Sequence, residues 1–203
     1  MSNSNPAKKT GNYVHFITVT GILSAAAFVL QLIEFPVPMF MPTFIKLDFS
    51  DLPALLGAFS AGPLSGVLIE LIKNLLHVTV SGSFGVGELS NFILGAIFTG
   101  IAGIMYKQKK TKKGALIASI TGAIAMGVLS YVTNLFVVYP VYYNFMPKEV
   151  IVAAYQAIIP AVDSIEKCLL IFNVPFTIIK GLLNVILCFL IYKPLSPILK
   201  GRH

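Results

Sequence analysis

The sequence predicts an all-α integral membrane protein, a bundle of six transmembrane helices with both termini cytoplasmic. Three observations carry that prediction. Charged residues make up only 11% of the 203-residue chain and hydrophobic residues 56%, with a mean hydropathy of +0.84; a soluble domain carries roughly 25% charged residues. The stretches Phe16–Ile33, Leu89–Tyr106 and Gly114–Tyr143 contain no charge, and a helix needs roughly 20 apolar residues to cross the hydrocarbon core. The basic residues, finally, are so distributed that they fix the number of crossings.

The chain reads as a single transmembrane domain, residues 1–203, with spans at about 16–34, 51–61, 63–80, 87–106, 114–141 and 167–192. Lys8 and Lys9, an apolar run and Ala25-Ala26-Ala27 imitate a secretory signal. The apolar run continues to Ile33, however, so an uncleaved first span is expected. The stretch Leu52–Val80 contains Gly62-Pro63. Proline breaks a helix interior but suits the first turn of a new helix, which favours a hairpin of two arms over one broken crossing. With the hairpin, ten basic and no acidic residues are cytoplasmic: Lys8 and Lys9, the run Lys107, Lys109, Lys110, Lys112 and Lys113, and Lys193, Lys200 and Arg202. Outside lie Lys46, Lys148 and Lys167 with all the acids except Glu70. A single crossing would put the five-lysine run outside, against the positive-inside rule.

The first arm is about ten residues, roughly 15 Å, too short to cross alone. It requires shielding by neighbouring helices or by chain lining a cavity. The preceding loop, Phe35-Pro-Val-Pro-Met-Phe-Met-Pro-Thr-Phe-Ile, is apolar, proline-rich and predicted extracellular. It suits a lid, or a segment lying on lipid headgroups. The run Val150–Val162 is too short to span and is expected to lie across the outer surface. No internal repeat appears, which weighs against transporter folds built from repeats. Cys168 and Cys188, 20 residues apart on one span, cannot pair in a disulfide.

Polar groups inside spans are costly and therefore functional candidates. Asn173, Thr177, Lys180 and Asn184 follow i, i+4, i+7, i+11 and share one face of the last span. Four in line, one a lysine, argue for a lined cavity rather than packing. Lys180 has no carboxylate on its own helix, so a bound ligand or the distant Glu70 is its expected partner. Tyr131 and Asn134 share a face of the fifth span, where the amide either reads an imide-like edge or bonds a neighbouring helix. Glu88 and Asn91 open the fourth span and either cap it or line a pocket mouth. Glu70 and Lys73 are expected to neutralise each other, and His15 and His77 are isolated, so no metal set is expected. Thr20, Gly21, Ser24 and Ala25 form a smooth strip on the first span that a partner helix could meet.

The net charge of +7 is a matter of membrane topology, so no nucleic acid is expected as partner. No phosphate loop, nucleophile elbow or metalloprotease motif is present, so the chain is not read as an enzyme and no catalytic residue is assigned. Uphill movement of a solute would draw its energy from another subunit.

Several segments carry a more specific signal: Lys46-Leu-Asp-Phe-Ser-Asp-Leu-Pro-Ala-Leu-Leu-Gly-Ala-Phe59, Gly62-Pro-Leu-Ser-Gly66, Ile72-Lys-Asn-Leu-Leu-His77, Gly87-Glu-Leu-Ser-Asn-Phe92 and Pro175-Phe-Thr-Ile-Ile-Lys-Gly181. With six spans, no motor and a lysine-rich inner loop, residues 15–195 resemble the substrate-capture (S) components of energy-coupling factor (ECF) vitamin transporters, the riboflavin-specific RibU type in particular. The resemblance implies a multi-pass protein of the bacterial plasma membrane. It also implies a riboflavin pocket near the outer face, closed by the first outer loop. Riboflavin would be a transported ligand rather than a cofactor. Expected partners are a transmembrane coupling subunit and two ATPase subunits.

Carried over by position, Asn134 and Lys180 match family residues that hydrogen-bond the flavin ring. Thr177 stands where some relatives have asparagine, which transfers that contact to Asn173 or Asn184. Phe44 and Leu47 would face the ring, with Asp48 a further candidate, and Gly21/Ala25 occupies the place of the family's docking motif. Asn134 lies near ~9 Å and Lys180 near ~18 Å below the outer ends of their spans, an offset that a bend at Pro175 and the lysine stem are expected to close. The competing readings are a capture subunit for another vitamin, whose charged ligand would want a carboxylate or arginine in the pocket, and a small channel or membrane enzyme.

Overall fold

The computed structural model describes the backbone from Pro6 to Leu199 and side chains from Gly11 to Ile191. Lys8, Lys9, Lys193, Lys200 and Arg202, on which the cytoplasmic placement of the termini rests, lie outside the described side chains. The described chain is helical, apart from one two-residue pair of strands and its loops. The helices are α1 (Pro6–Gln31), α2 (Asp51–Ser60), α3 (Pro63–His77), α4 (Val86–Gln108) and α5 (Lys112–Thr133). Next come the short α6 (Tyr139–Tyr142), α7 (Lys148–Gln156) and α8 (Ile165–Cys168), and finally α9 (Val174–Leu199). A π-helical turn, Asn134–Val138, joins α5 to α6, and a second, Leu169–Asn173, joins α8 to α9. Among the described residues, four stretches are long and apolar enough to cross a membrane: Gly11–Gln31, Val86–Gln108, Lys112–Tyr142 and Ile165–Ile191.

The short helix α2 sits in the middle of the bundle. It touches α1, α3, α4 and α9, and every residue from Asp51 to Ala58 is buried. The shielding that a ten-residue apolar helix needs is thus supplied by protein. Gly62, at φ 105°, turns the chain between α2 and α3 in a conformation that residues with a Cβ avoid, and Pro63 starts the new helix.

Close packing of the hairpin rests on small residues. A Cβ on Gly66 would lie 2.8 Å from Ala58 Cβ and 3.0 Å from Thr99 Cβ, and one on Gly103 would lie 2.8 Å from Pro63 Cα. Those contacts bring α2, α3 and α4 within backbone reach. The strip predicted on α1 divides. Thr20 and Ser24 turn inward, Thr20 Oγ1 meeting Ser65 Oγ at 2.7 Å, whereas Gly21 and Ala25 are exposed and nothing lies within 4 Å of a Cβ on Gly21.

The loop after α1 is folded. Phe35–Pro36 pairs antiparallel with Lys46–Leu47, in the register Phe35 with Leu47 and Pro36 with Lys46. Between them Met41 is buried, while Met39 and Phe40 are exposed. The helix α7 sinks Ile151 and Tyr155 into an apolar cluster with Met41, Tyr139, Leu169 and Phe172.

Packing at Gly66 and the open space at Gly21 give a paired prediction. Gly66→Val forces a branched side chain into backbone contact and is expected to lower stability by about 1–3 kcal/mol. Gly21→Ala is expected to be neutral or slightly stabilising, because it replaces a helical glycine without a clash. Thermal unfolding of the two purified variants in detergent checks both.

Candidate functional site

Between the loop 32–50, the N-terminal halves of α4 and α9 and the C-terminal end of α5 lies a cavity with about 930 Å³ of space between atoms, counting its open mouth. Residues from widely separated stretches meet there because of how each helix is built. At the end of the second π turn and along α9, Asn173, Phe176, Thr177 and Lys180 follow i, i+3, i+4, i+7 and all line the cavity. Asn184, the fourth member of the predicted row, does not. It is buried one turn further in, and its amide nitrogen donates to the Lys180 carbonyl at 3.0 Å. The reason is a seal beneath Lys180: Gly181 packs so tightly on Ala123 and Met126 that a Cβ there would lie 2.8 Å from each.

The π turn after α5 has a comparable effect. The Tyr139 N–H reaches back to the Asn134 carbonyl, and this wider turn brings Asn134, Val138, Tyr139 and Tyr142 to the cavity wall. Single π turns inside α-helices recur at functional sites. Tyr131 packs on the outer apolar cluster instead and is not part of the wall.

Asn134 Oδ1 accepts from Ser90 Oγ at 3.3 Å. Asn173 is held on both sides of its amide. Its Oδ1 accepts from the Tyr155 hydroxyl at 2.6 Å, its Nδ2 donates to the Tyr139 hydroxyl at 3.3 Å, and the two hydroxyls are 2.5 Å apart. The helix α7 therefore fixes an amide of the wall through a tyrosine that sequence spacing gave no reason to single out.

From the loop, Phe44 and Asp48 line the cavity. The Phe44 ring tilts against Tyr142 (centroids 5.9 Å) and meets Tyr155 edge-on at 6.2 Å, contacts worth about 0.5–1.5 kcal/mol each. Leu47 is absent from the wall. In an extended segment it points opposite to its neighbours Lys46 and Asp48, which do face the cavity. Lys46 is ion-paired with Glu34 across the base of the loop.

Lys180 has a protein partner that the sequence reading did not foresee. Its Nζ donates to Asp48 Oδ2 at 2.8 Å and lies 3.7 Å from Asp51 Oδ2. The other expected partner, Glu70, is taken by Lys73 at 2.7 Å, in line with the predicted neutralisation of that pair, and Lys73 also holds Asp51 Oδ1 at 2.6 Å. Asn91 Nδ2 donates to Asp48 Oδ2 at 3.2 Å. Burial by itself would raise the Asp48 carboxyl, but the ammoniums of Lys180 and Lys73 and the hydroxyl of Ser50 hold it below the usual carboxylate range.

Glu88 is not a cap. The cap residue of α4 is Gly85, and Glu88 lines the cavity, bonded to His77 Nδ1 at 2.7 Å and Ser83 Oγ at 2.5 Å. Asn91, too, belongs to the wall. Among the described residues no group of three or more potential metal ligands occurs.

Residues 15–192 match the family model "ECF transporter, substrate-specific component". The chain belongs to that family. This S component is 38% identical over 184 residues, 91% of either chain, to the riboflavin transporter RibU of Staphylococcus aureus (strain TCH60). It is 33% identical over 186 residues, 89% of its own length and 92% of the relative, to the riboflavin transporter FmnP of Bacillus subtilis (strain 168). Its fold is similar to a solved S component of a bacterial ECF transporter, with a TM-score of 0.70 and 36% identity over 91% of this chain and 97% of that one. An S component is a part of a transporter and not an enzyme, in keeping with a wall that offers hydrogen bonds and apolar contact.

The loop is pinned to the S component by a nearly dry ion pair, so Asp48→Asn should destabilise the protein by about 3–5 kcal/mol at neutral pH. The sign with pH follows from a depressed carboxyl: the contribution is complete above the unfolded-state value of about 3.9 and is lost as pH falls toward the lower folded-state value. Melting temperatures of wild type and Asp48→Asn should therefore differ by a constant amount from about pH 7 to pH 5 and converge below about pH 4. A gap that instead widens in acid would contradict the assigned pairing.

Proposed function

We propose that this S component captures riboflavin from outside the cell for an ECF-type ATP-driven importer of the bacterial plasma membrane, and has no ATPase activity of its own. In this reading the chain crosses the membrane six times with α2 and α3 as the second and third crossings, and both termini are cytoplasmic. The loop 35–46 is the extracellular lid. A transmembrane coupling subunit and two ATPase subunits supply the energy, and the exposed Gly21/Ala25 face of α1 is where the coupling subunit docks.

One observation carries the reading. Asn134 and Lys180, singled out in separate spans for the same edge of one ligand, line the same cavity, and Phe44, Leu94, Tyr142 and Phe176 line it with them. Riboflavin is uncharged, flat and amphipathic, with an imide edge that pairs donor and acceptor. An asparagine amide offers both, and an ammonium supplies further donors to the ring carbonyls. Phe44, Phe176 and Tyr142 offer flat apolar contact to the remainder of the ring. Asn173 stands one turn from Thr177 and can make the contact that the shorter threonine does not reach. The riboflavin transporters among the relatives, at 33–38% identity, support the same assignment.

Purified protein is expected to quench riboflavin fluorescence on titration. Lys180→Ala and Asn134→Ala should each weaken binding about tenfold or more, as loss of a placed hydrogen bond in a dry site does. Unchanged affinity in both variants would refute the site, and the absence of quenching by wild type would refute the ligand.

A further inference from the structure

Lys73 is the most deeply buried cation described, with no exposed surface, and it does not line the cavity. Its ammonium donates to two acceptors, Ser50 Oγ and Asp51 Oδ1, each at 2.6 Å, and is ion-paired with Glu70 Oε2 at 2.7 Å. Both acceptors lead to Lys180. Asp51 bridges the lysines directly, with its other oxygen 3.7 Å from Lys180 Nζ. Ser50 makes a second arm, its hydroxyl donating to Asp48 Oδ1 at 2.5 Å and its backbone N–H to the same oxygen at 2.8 Å. The free oxygen of Asp48 is thereby turned to Lys180 and Asn91.

From this geometry we infer that Lys73 is a positioning residue of the capture site: it sets where the Lys180 ammonium stands, through Asp51 and through Ser50 and Asp48, without touching the ligand. The inference rests on the riboflavin reading above.

The charges explain why such a residue is needed. Three carboxylates, Asp48, Asp51 and Glu70, surround the two ammoniums. Without Lys73, all three would compete for Lys180 and draw it from the cavity toward α3. With Lys73 in place, Glu70 and one oxygen of Asp51 are occupied, and Lys180 keeps one close carboxylate partner, Asp48. Its remaining donors are free for the cavity it lines. Gly95 makes the arrangement possible on the far side, since a Cβ there would collide with the Glu70 carboxylate.

A double-mutant cycle on riboflavin affinity, followed by fluorescence quenching with folding checked by gel filtration, separates positioning from general support. Lys73→Met should weaken binding about tenfold in the wild-type background but less than about threefold in Lys180→Met, because the effect passes through Lys180. Equal losses in both backgrounds, or none in the wild type, would overturn the inference. Should Lys73→Met fail to fold, Ser50→Ala breaks one arm and leaves every ion pair intact. It should weaken binding about threefold in the wild-type background and not at all in Lys180→Met, and equal losses in the two backgrounds would again overturn it. A wild-type protein that does not bind riboflavin would instead overturn the ligand reading and this inference with it, so the two failures are distinguishable.

Discussion

The ion pair between Asp48 and Lys180 joins a loop to a helix across 132 residues of the sequence, and the arrangement around the cavity depends on it. An ammonium in an apolar helix is tolerable only when a carboxylate or an equivalent set of acceptors is held beside it. The last span offers none, so the partner has to come from elsewhere. The chain brings it on the segment just before α2, and Ser50 and Asp51 follow within the same turn. The loop must therefore dip inward to the level of Lys180. The short α2 follows directly on that segment, which delivers Asp48 and Asp51 to Lys180.

The same constraint accounts for the crowding around α2. Because its first residue carries a buried charge and its body is wholly apolar, it can be surrounded only by protein, and α1, α3, α4 and α9 enclose it. Enclosure at that density requires glycine at the contacts, and Gly66 and Gly103 supply it. Asp51 at the start of α2 also stands where the helix dipole favours a negative charge, which eases its burial beside Lys73.

Much of this was legible in the sequence, for physical reasons that can be named. The periodic row on the last span identified Asn173, Thr177 and Lys180, because a regular helix keeps i, i+4, i+7 on one face. The same rule overreached at Asn184, since a period cannot tell where a neighbouring helix closes in, as α5 does at Gly181. The pairing of Glu70 with Lys73 was legible because it is local, at i, i+3. The partner of Lys180 was not, because Asp48 is 132 residues away, in a loop that no helical period connects to α9. Alternation in an extended strand could have placed Lys46 and Asp48 together and Leu47 apart, had the loop been recognised as strand. Each π turn is followed two positions on by a proline, Pro140 and Pro175, which cannot donate to the carbonyl four residues back; that marks a disturbed helix but not the wider turn that brings Val138 and Tyr139 to the wall.

Charge pairing inside the wall also bears on what such a cavity can hold. Each ionisable residue that lines it is already engaged: Glu34 with Lys46, Asp48 with Lys180, Asp51 with Lys73, and Glu88 with His77 and Ser83. A charged guest that broke one of the buried pairs, Asp48 with Lys180 or Asp51 with Lys73, would leave its partner stranded away from water, at a cost of several kcal/mol. A neutral guest needs only the donors and acceptors left over, which are amides, hydroxyls and the unused N–H groups of an ammonium. The wall is thus matched to dipoles rather than to net charge, and the proposed riboflavin, uncharged with a polar edge and an apolar ring system, meets it on those terms.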